Sequence, residues 1–277
     1  MTDCAPEILA KRQYNDPTNL YLRRALFTNS VPKISIHEKA LEYLKLDGHE
    51  NILEVGCGDG KFLLQLRKEH SHAGRLVGLD LSKGMFAKTK KLMIKETLGP
   101  GIEFIEGSAG HLDFPDKSFE VILSFYMLYH MTDIEKTLHE LERVLKNNGQ
   151  VLIATNSSKN RERLHDFKKT IGKLTGSKAA PNFSSRFNLE NGEKQLEKVF
   201  DISGSYVYKG KVNISESKSY LDALESYRSV FEPVPSDVGW KNALDKIKYS
   251  IEKEIGLKGR FVDNAKTGFF ICRKKGR

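Results

Sequence analysis

The chain has 277 residues, a formal net charge of +9 and 39% hydrophobic residues. This length fits one large domain or one domain with a sizeable insertion, and the hydrophobic fraction argues against global disorder. The longest apolar stretch, 121–129, is too short to cross a bilayer, and the first residues lack the apolar run of a secretory signal. Three distant cysteines without a CxxC pair argue against a disulfide framework and a cysteine zinc site. We expect a cytoplasmic, globular protein that does not insert into a membrane.

The positive charge is concentrated in three runs, at 88–91, 159–178 and 273–277. Basic runs of this kind can follow a nucleic-acid backbone, but they more often form solvated faces of helices. The charge therefore leaves nucleic acid open as a partner without establishing one.

Strands alternate with helices through the middle of the chain. The hydrophobic pattern predicts strands at 51–55, 75–79, 102–105, 120–125 and 151–155. Helices fall between them, at 61–69, after Ser82 as a possible N-cap, and after Asp133 as another. Alternation of this kind is typical of a parallel sheet covered on both faces, so the predicted fold class is α/β.

The flanking segments have looser patterns. A polar stretch at 11–28 and a helix at 36–46 come before the core, and basic helical sequence at 159–197 follows it. A strand at 200–212, helices at 219–231 and 241–255, and a last strand at 269–272 complete the prediction. We divide the chain into an N-terminal flap and helix (1–50), a cofactor-binding core (51–156), and a substrate-side lid insertion with the final strands of the same sheet (157–277).

A glycine-rich loop follows the first core strand, where α/β sheets bind nucleotides. From Gly56 the sequence reads GxGxGK, which does not fit the dinucleotide fingerprint GxGxxG. It does not fit a phosphate-binding P-loop either, because Phe62 follows Lys61 where Ser or Thr is needed. Glu54 is poorly suited to lie beside a pyrophosphate and better suited to a ligand that carries a cationic group.

This loop resembles the first motif of class I S-adenosylmethionine-dependent methyltransferases. The likeness covers about residues 14–156 and a final strand near 262–273. The stretch 52–60 (ILEVGCGDG) is similar to that motif, and Asp80, 20 residues after Gly60, matches the acidic residue that holds the ribose. Residues 112–119 (LDFPDKSF) and 143–149 (RVLKNNG) resemble two further motifs. Ser108 stands where the family usually has Asp, which leaves adenine recognition more dependent on the backbone.

The resemblance implies a Rossmann-like, mostly parallel sheet of seven strands with helices on both faces, an N-terminal helical flap and a helical insertion near the C-terminus. It implies S-adenosylmethionine as the cofactor. No metal is expected, because His111, His139 and His165 are isolated and do not form a metal-ligand spacing with acidic residues. The residues that it assigns to cofactor binding in the core are Glu54, Gly56, Cys57, Gly58, Gly60, Asp80, Leu81, Met85, Ser108, Ala109, Ser124, Phe125 and Tyr126.

The N-terminal stretch from Tyr14 to Arg24 resembles the flap that many small-molecule methyltransferases fold over the cofactor. Tyr14 and Tyr21 are predicted to cover the methionine moiety, and Arg24 to pair with its carboxylate. The alternative is a surface helix with two exposed arginines.

The methyl-transfer chemistry is expected after the fourth core strand. His130 is the preferred general base, because the unperturbed pKa of imidazole lies near neutrality. The alternative is a histidine that braces the loop or shapes the methionine pocket. Tyr129 and His130 are predicted to contact the acceptor, and an aromatic ring there could favour the sulfonium charge.

The absence of two motifs narrows the class of methyl acceptor. The [DNS]PP[YFW] stretch of enzymes that methylate nucleobase amino groups is absent, and no cysteine follows a proline. The C-terminal third instead supplies aromatic residues, namely Phe183, Phe187, Tyr206, Tyr208, Tyr220, Tyr227, Phe231 and Trp240. This composition favours a mostly apolar pocket, although some of these rings are expected to form the insertion's own core.

We therefore predict a methyltransferase that acts on an oxygen or nitrogen of a small molecule in a biosynthetic pathway. Two alternatives stay open: an RNA or protein methyltransferase that uses the basic surface, and a non-catalytic S-adenosylmethionine-binding protein. A nicotinamide-dependent dehydrogenase is the weakest reading.

Overall fold

A computed structural model describes residues 6–96, 101–179 and 182–276 of the chain. In these residues, eight strands form one sheet in the order β1-β7-β8-β6-β5-β2-β3-β4. The strands are β1 (Ser30–Val31), β2 (Ile52–Val55), β3 (Leu76–Asp80), β4 (Glu103–Glu106), β5 (Phe119–Phe125), β6 (Leu145–Asn156), β7 (Phe200–Ile214) and β8 (Phe261–Lys274).

Helices connect these strands and precede the sheet. They are α1 (Pro6–Gln13), α2 (Thr18–Phe27), α3 (Ile36–Leu44), α4 (Lys61–Glu69), α5 (Lys83–Glu96), α6 (Ile134–Val144), α7 (Glu162–Thr175), α8 (Gly192–Leu196), α9 (Lys218–Glu225) and α10 (Asp237–Lys258). The α/β fold class is confirmed, and so is the predicted cap of α6, where the Asp133 side chain accepts a hydrogen bond from the backbone N–H of Lys136 at 2.9 Å.

The prediction of seven strands was wrong by one. Strands β2 to β6 are parallel, and β8 enters antiparallel between β6 and β7. The additional strand, β1, pairs antiparallel with β7 through Ser30 and Val31. Two residues are too few to show the alternation of apolar and polar side chains by which a strand is recognised in a sequence.

The parallel strands are buried because helices cover both faces of the sheet. All four residues of β2 and the first four of β3 are buried, as expected for strands that form near-continuous apolar runs. Their carboxyl ends lie at one edge of the sheet, since parallel strands run in the same direction. The glycine loop, Asp80, Tyr126 and Asn156 therefore all lie at that edge, where α/β sheets bind their ligands.

The helical insertion has a core of its own. Helices α7, α9 and α10 enclose a cluster that includes Tyr220, Phe231, Trp240 and Ile251, and Leu26 of α2 is fully buried in the same cluster. The N-terminal segment and the insertion are thus joined by apolar packing above the sheet edge.

Three further features concern the described part of the chain only. No helix there is long and apolar enough to cross a membrane. Cys57 and Cys272 are buried free thiols, and Cys4 lies outside the described residues. No group of three His, Cys, Asp or Glu side chains is arranged there to hold a metal ion.

Candidate active site

A cavity of about 540 Å³ lies at the carboxyl edge of the parallel strands. Its inner wall is formed by the glycine loop and by the residues that follow β3 and β5. Helices α1 and α2 line one side, and the start of α7 with the middle of β7 (208–210) and of β8 (265–267) lines the other. The volume is within the usual range for small-molecule and cofactor sites.

Gly56 and Gly58 give the loop its shape. Both have a left-handed backbone, with φ of 67° and 57°. A Cβ at Gly56 would lie 2.3 Å from Cγ of Met127, so the close approach of the two segments requires glycine at this position. The backbone N–H of Gly58 donates a 2.8 Å hydrogen bond to Oδ2 of Asp80, which fixes the loop to the end of β3.

Asp80 receives a second backbone hydrogen bond, from the N–H of Ser82 to Oδ1 at 3.1 Å. Burial raises the pKa of this carboxyl, although the backbone N–H groups of Gly58, Ser82 and Leu81 oppose the rise. The side chain is therefore held in one orientation and faces the cavity, as expected of a residue that holds a ribose.

Glu54 is 3% exposed, and within the described chain its Oε2 has no hydrogen-bond partner. Burial, and next the charge of Asp59, raises the pKa of Glu54 well above its ordinary value. A buried carboxylate with an unpaired oxygen is costly unless a ligand supplies a donor or a positive charge. The ammonium group of a bound methionine moiety would supply both, so the observed residues fit S-adenosylmethionine.

Arg24 also lines the cavity, where its Nη1 lies 2.6 Å from Oδ2 of Asp59. This ion pair orients the guanidinium beside the glycine loop. The remaining N–H groups of Arg24 are suited to a carboxylate ligand.

His130 lies on the opposite wall, in a short 3₁₀ turn after β5, and is 8% exposed. Its ring contacts those of Tyr14, Tyr129 and Phe183, at centroid distances of 5.8, 4.7 and 5.2 Å. Burial, together with the positive charges of Arg23 and Arg186, lowers the pKa of His130 to about 3. The imidazole is therefore neutral at physiological pH. The prediction of His130 as a general base assumed a pKa near neutrality, and His130 does not have such a pKa in the folded protein.

Most of the predicted cofactor and acceptor residues line this one cavity. They are Tyr14, Arg24, Glu54, Gly56, Cys57, Gly58, Asp80, Leu81, Met85, Ala109, Phe125, Tyr126, Tyr129 and His130. Four others do not line it. Tyr21 is 41% exposed, Gly60 faces the ring of Phe104, Ser108 donates a 3.0 Å hydrogen bond to Glu7, and Ser124 is fully buried within β5.

The aromatic residues of the C-terminal third divide between the cavity and the core. Phe183, Tyr208 and Tyr227 line the cavity. The other five are outside its lining: Phe187, Tyr206, Tyr220, Phe231 and Trp240 pack in the hydrophobic clusters.

Sequence reasoning missed a polar group on the insertion side of the cavity. Asn156, Tyr208 and Thr267 lie in one row across β6, β8 and β7, because Thr267 is paired with both other residues. Arg161 and Lys168 are 5% exposed each and project from α7 and its N-cap. Their helical spacing was visible in the sequence, but the run 159–178 was interpreted as a solvated face.

Comparison with known proteins agrees with this geometry. Residues 53–153 match a family model described as a methyltransferase domain. A demethylmenaquinone methyltransferase of Listeria welshimeri is 31% identical over 136 residues, which are 48% of this chain and 57% of that protein. A 2-phytyl-1,4-naphtoquinone methyltransferase of Nostoc sp. is 28% identical over 130 residues, 47% of this chain and 57% of that protein. The chain thus spans just over half the length of these curated relatives.

Solved structures extend the likeness of fold beyond the core. A Bacillus halodurans C-125 protein of known crystal structure superposes with a TM-score of 0.60 at 18% sequence identity, over 88% of this chain and 100% of the other. Together with the glycine loop and Asp80, the match over 53–153 shows that the core of this chain is a methyltransferase domain.

Proposed function

We propose that the protein transfers the methyl group of S-adenosylmethionine to an oxygen or nitrogen atom of a small molecule. The observation that carries this proposal is the continuous cavity, which joins the glycine loop and Asp80 to a chamber lined by Tyr126, Tyr208 and Tyr227. A cofactor bound against the loop and an acceptor bound in the chamber would be in direct contact.

Each end of the cofactor has matching residues in the described chain. Asp80 would accept hydrogen bonds from the ribose hydroxyls, and Glu54 would pair with the ammonium group. Arg24 would bind the carboxylate, while Leu81 and Met85 provide apolar contact for the adenine. Tyr14 of the flap lies between this end and His130, with its hydroxyl accepting a hydrogen bond from Nη1 of Arg23.

The bound cofactor supplies a methyl group already activated by the positive sulfur. The protein then has mainly to hold the acceptor atom in line with that methyl group. His130 is suited to this role, because its Nδ1 is buried without a hydrogen-bond partner among the described residues, and a neutral imidazole accepts a hydrogen bond from an O–H or N–H group. We propose that His130 orients the acceptor and takes its proton only as the methyl group is transferred.

A small acceptor is favoured over a macromolecule because the chamber is walled by α1, α2 and α7 and by three strand ends. The two curated relatives are named as methyltransferases of quinone compounds. Their names support a cyclic, mostly apolar acceptor made in a biosynthetic pathway.

The test uses purified protein, S-adenosylmethionine labelled on the methyl group, and a cell extract divided into low-molecular-weight and macromolecular fractions. We expect label in the low-molecular-weight fraction, and none there with Asp80→Asn, which disrupts the loop and the ribose contact. Label in RNA or protein would contradict the proposal and assign the basic surface to substrate binding. Binding of S-adenosylhomocysteine without label in either fraction, across several extracts, would favour a non-catalytic binding protein.

A further inference from the structure

The acceptor side of the cavity contains three buried cations. Arg23, Arg161 and Lys168 are 9%, 5% and 5% exposed, and all three side chains line the cavity. Side chains of this kind are almost never buried without a partner, since removing an unpaired charge from water is costly.

Two of these cations lie against one ring, that of Tyr227, and the third, Arg161, acts on it through its charge. The guanidinium carbon of Arg23 lies 3.9 Å from the centre of this ring, and Nζ of Lys168 lies 4.4 Å from it. Burial acts to raise the pKa of the Tyr227 hydroxyl, but the positive charges of Arg23, Lys168 and Arg161 outweigh burial and lower it. The chamber beside Tyr227 is therefore strongly positive.

No carboxylate of residues 6–96, 101–179 or 182–276 lies within ion-pair distance of these three cations. Asp263 is near enough to act on Arg161 through its charge, but its oxygens already accept hydrogen bonds from other groups. These donors are the Tyr220 hydroxyl and the backbone N–H groups of Arg163, Leu164 and Asn264.

Among the described residues, the side chain of Arg161 has fewer hydrogen-bond partners than that of Arg23. Its guanidinium lies over the ring of Phe27 at 3.8 Å, and both Nε and Nη2 are buried without a hydrogen-bond partner in the described residues. Its backbone is left-handed, with φ of 54°, and its N–H donates to the carbonyl of Asn264 at 3.0 Å. Arg23 differs, because Ser226 accepts two of its hydrogen bonds and Tyr14 a third.

We propose that the methyl acceptor is an organic anion whose carboxylate or phosphate group is bound by Arg161 and Lys168 beside Tyr227. This inference rests on the proposed function and specifies its substrate class. The guanidinium offers two parallel N–H groups to an oxyanion, and the lysine adds a third donor. The rings of Tyr126 and Tyr208 line the chamber and are suited to contact with a flat, apolar part of the acceptor.

The position of the cations also fits the reaction. Asn156, whose Oδ1 is buried without a partner in the described chain, is the last residue of β6 and lines the cavity. Arg161 is near enough to Tyr126, directly after β5, to act on its hydroxyl through its charge, so an anion held at Arg161 would lie beside the segment that continues to His130.

The test measures binding of charged fragments and matched neutral ones to the complex of the protein with S-adenosylhomocysteine, by isothermal titration calorimetry. Benzoate is compared with benzamide, and phenyl phosphate with phenyl methanesulfonate. We expect at least one anion to bind tenfold or more tightly than its neutral counterpart, and the preferred pair distinguishes carboxylate from phosphate. Equal binding of the anion and neutral members in both pairs would overturn the proposal.

Variants locate the anion within the cavity. Lys168→Gln and Arg161→Gln should each weaken binding of the preferred anion at least fivefold, and Lys168→Met provides a second variant if Lys168→Gln does not fold. Lys173→Gln, an exposed lysine on the same helix, is the matched control and should leave binding unchanged. An anion preference that survives in both Gln variants would refute the assignment.

The two proposals fail in different ways. A preserved anion preference with no methyl transfer to any fraction would reject the proposed function and leave the anion site supported. Methyl transfer to small neutral products, with no anion preference, would support the proposed function and reject the anion site.

Discussion

Replacing Gly56 with alanine should destabilise the protein through two separate effects. The first is the left-handed backbone, which costs a residue with a Cβ about 1 kcal/mol. The second is steric, because the new Cβ would lie 2.3 Å from Cγ and 2.7 Å from Cβ of Met127. Overpacking of this kind typically costs about 1–3 kcal/mol. The free energy of unfolding should therefore fall by about 2–4 kcal/mol.

Gly58 provides the matched control. It is also left-handed, but a Cβ there would lie 3.4 Å from Leu20 and 3.6 Å from Met85, which are ordinary contacts. Gly58→Ala should lower the free energy of unfolding by about 1 kcal/mol, the backbone cost alone. Equilibrium urea unfolding of the ligand-free protein, followed by circular dichroism, measures both values.

The same substitution made in a Met127→Gly variant separates the steric effect from the backbone effect. Met127→Gly removes both atoms that the new Cβ would meet, so in that background Gly56→Ala should cost only about 1 kcal/mol, as in Gly58→Ala. If Gly56→Ala and Gly58→Ala destabilise the original protein equally, the close approach of Met127 to the loop is not what requires glycine at position 56.

Three further outcomes are expected. Glu54→Gln should raise the free energy of unfolding at pH 8, because it replaces a buried carboxyl group whose charged form is destabilised by burial. It should also weaken S-adenosylhomocysteine binding about tenfold or more in calorimetry, and unchanged affinity would exclude the ammonium contact. The pKa of His130 is about 3 in the folded protein and near 6.5 when unfolded, so stability is complete above pH 6.5 and decreases as the pH falls toward 3. Between pH 7 and pH 5, His130 should reduce the free energy of unfolding, measured in urea, by about 2 kcal/mol, and this loss should be absent in His130→Gln. A pH–activity profile that changes near pH 6.5, with the change abolished in His130→Gln, would contradict the lowered pKa. Tyr14→Phe should reduce kcat, whereas Tyr21→Phe, outside the cavity, should leave steady-state kinetics unchanged; equal effects would refute the placement of the flap.

The order of core elements could be predicted because it depends on local patterns. The predicted strand at 51–55 and helix at 61–69 agree with β2 and α4 to within a residue, and Asp133 caps α6 as expected. Apolar periodicity and capping residues act over a few positions, so the sequence contains their full signal. Strand β1 has only two residues and gave no such signal.

The part of the candidate site that lies at the ends of the parallel strands could be predicted from the sequence. Gly56, Gly58 and Asp80 are tied together by the direction of the chain and by a short loop, so their neighbourhood follows from their spacing. Tyr21 is close to the same motifs in sequence but is exposed, because helical geometry turns its side chain away from the cavity that Tyr14 lines.

The sequence by itself determined the α/β class, the cofactor loop and the methyltransferase resemblance, because each is encoded in contiguous residues. Only the tertiary structure decided which charged side chains are buried. Arg161 and Lys168 belong to a basic run that resembles a solvated helix face, yet the packing of α7 beside Phe27 and Tyr227 directs both cations into the cavity. The pKa of His130 was decided in the same way, since it depends on rings and charges from four separate segments that meet only in the folded chain.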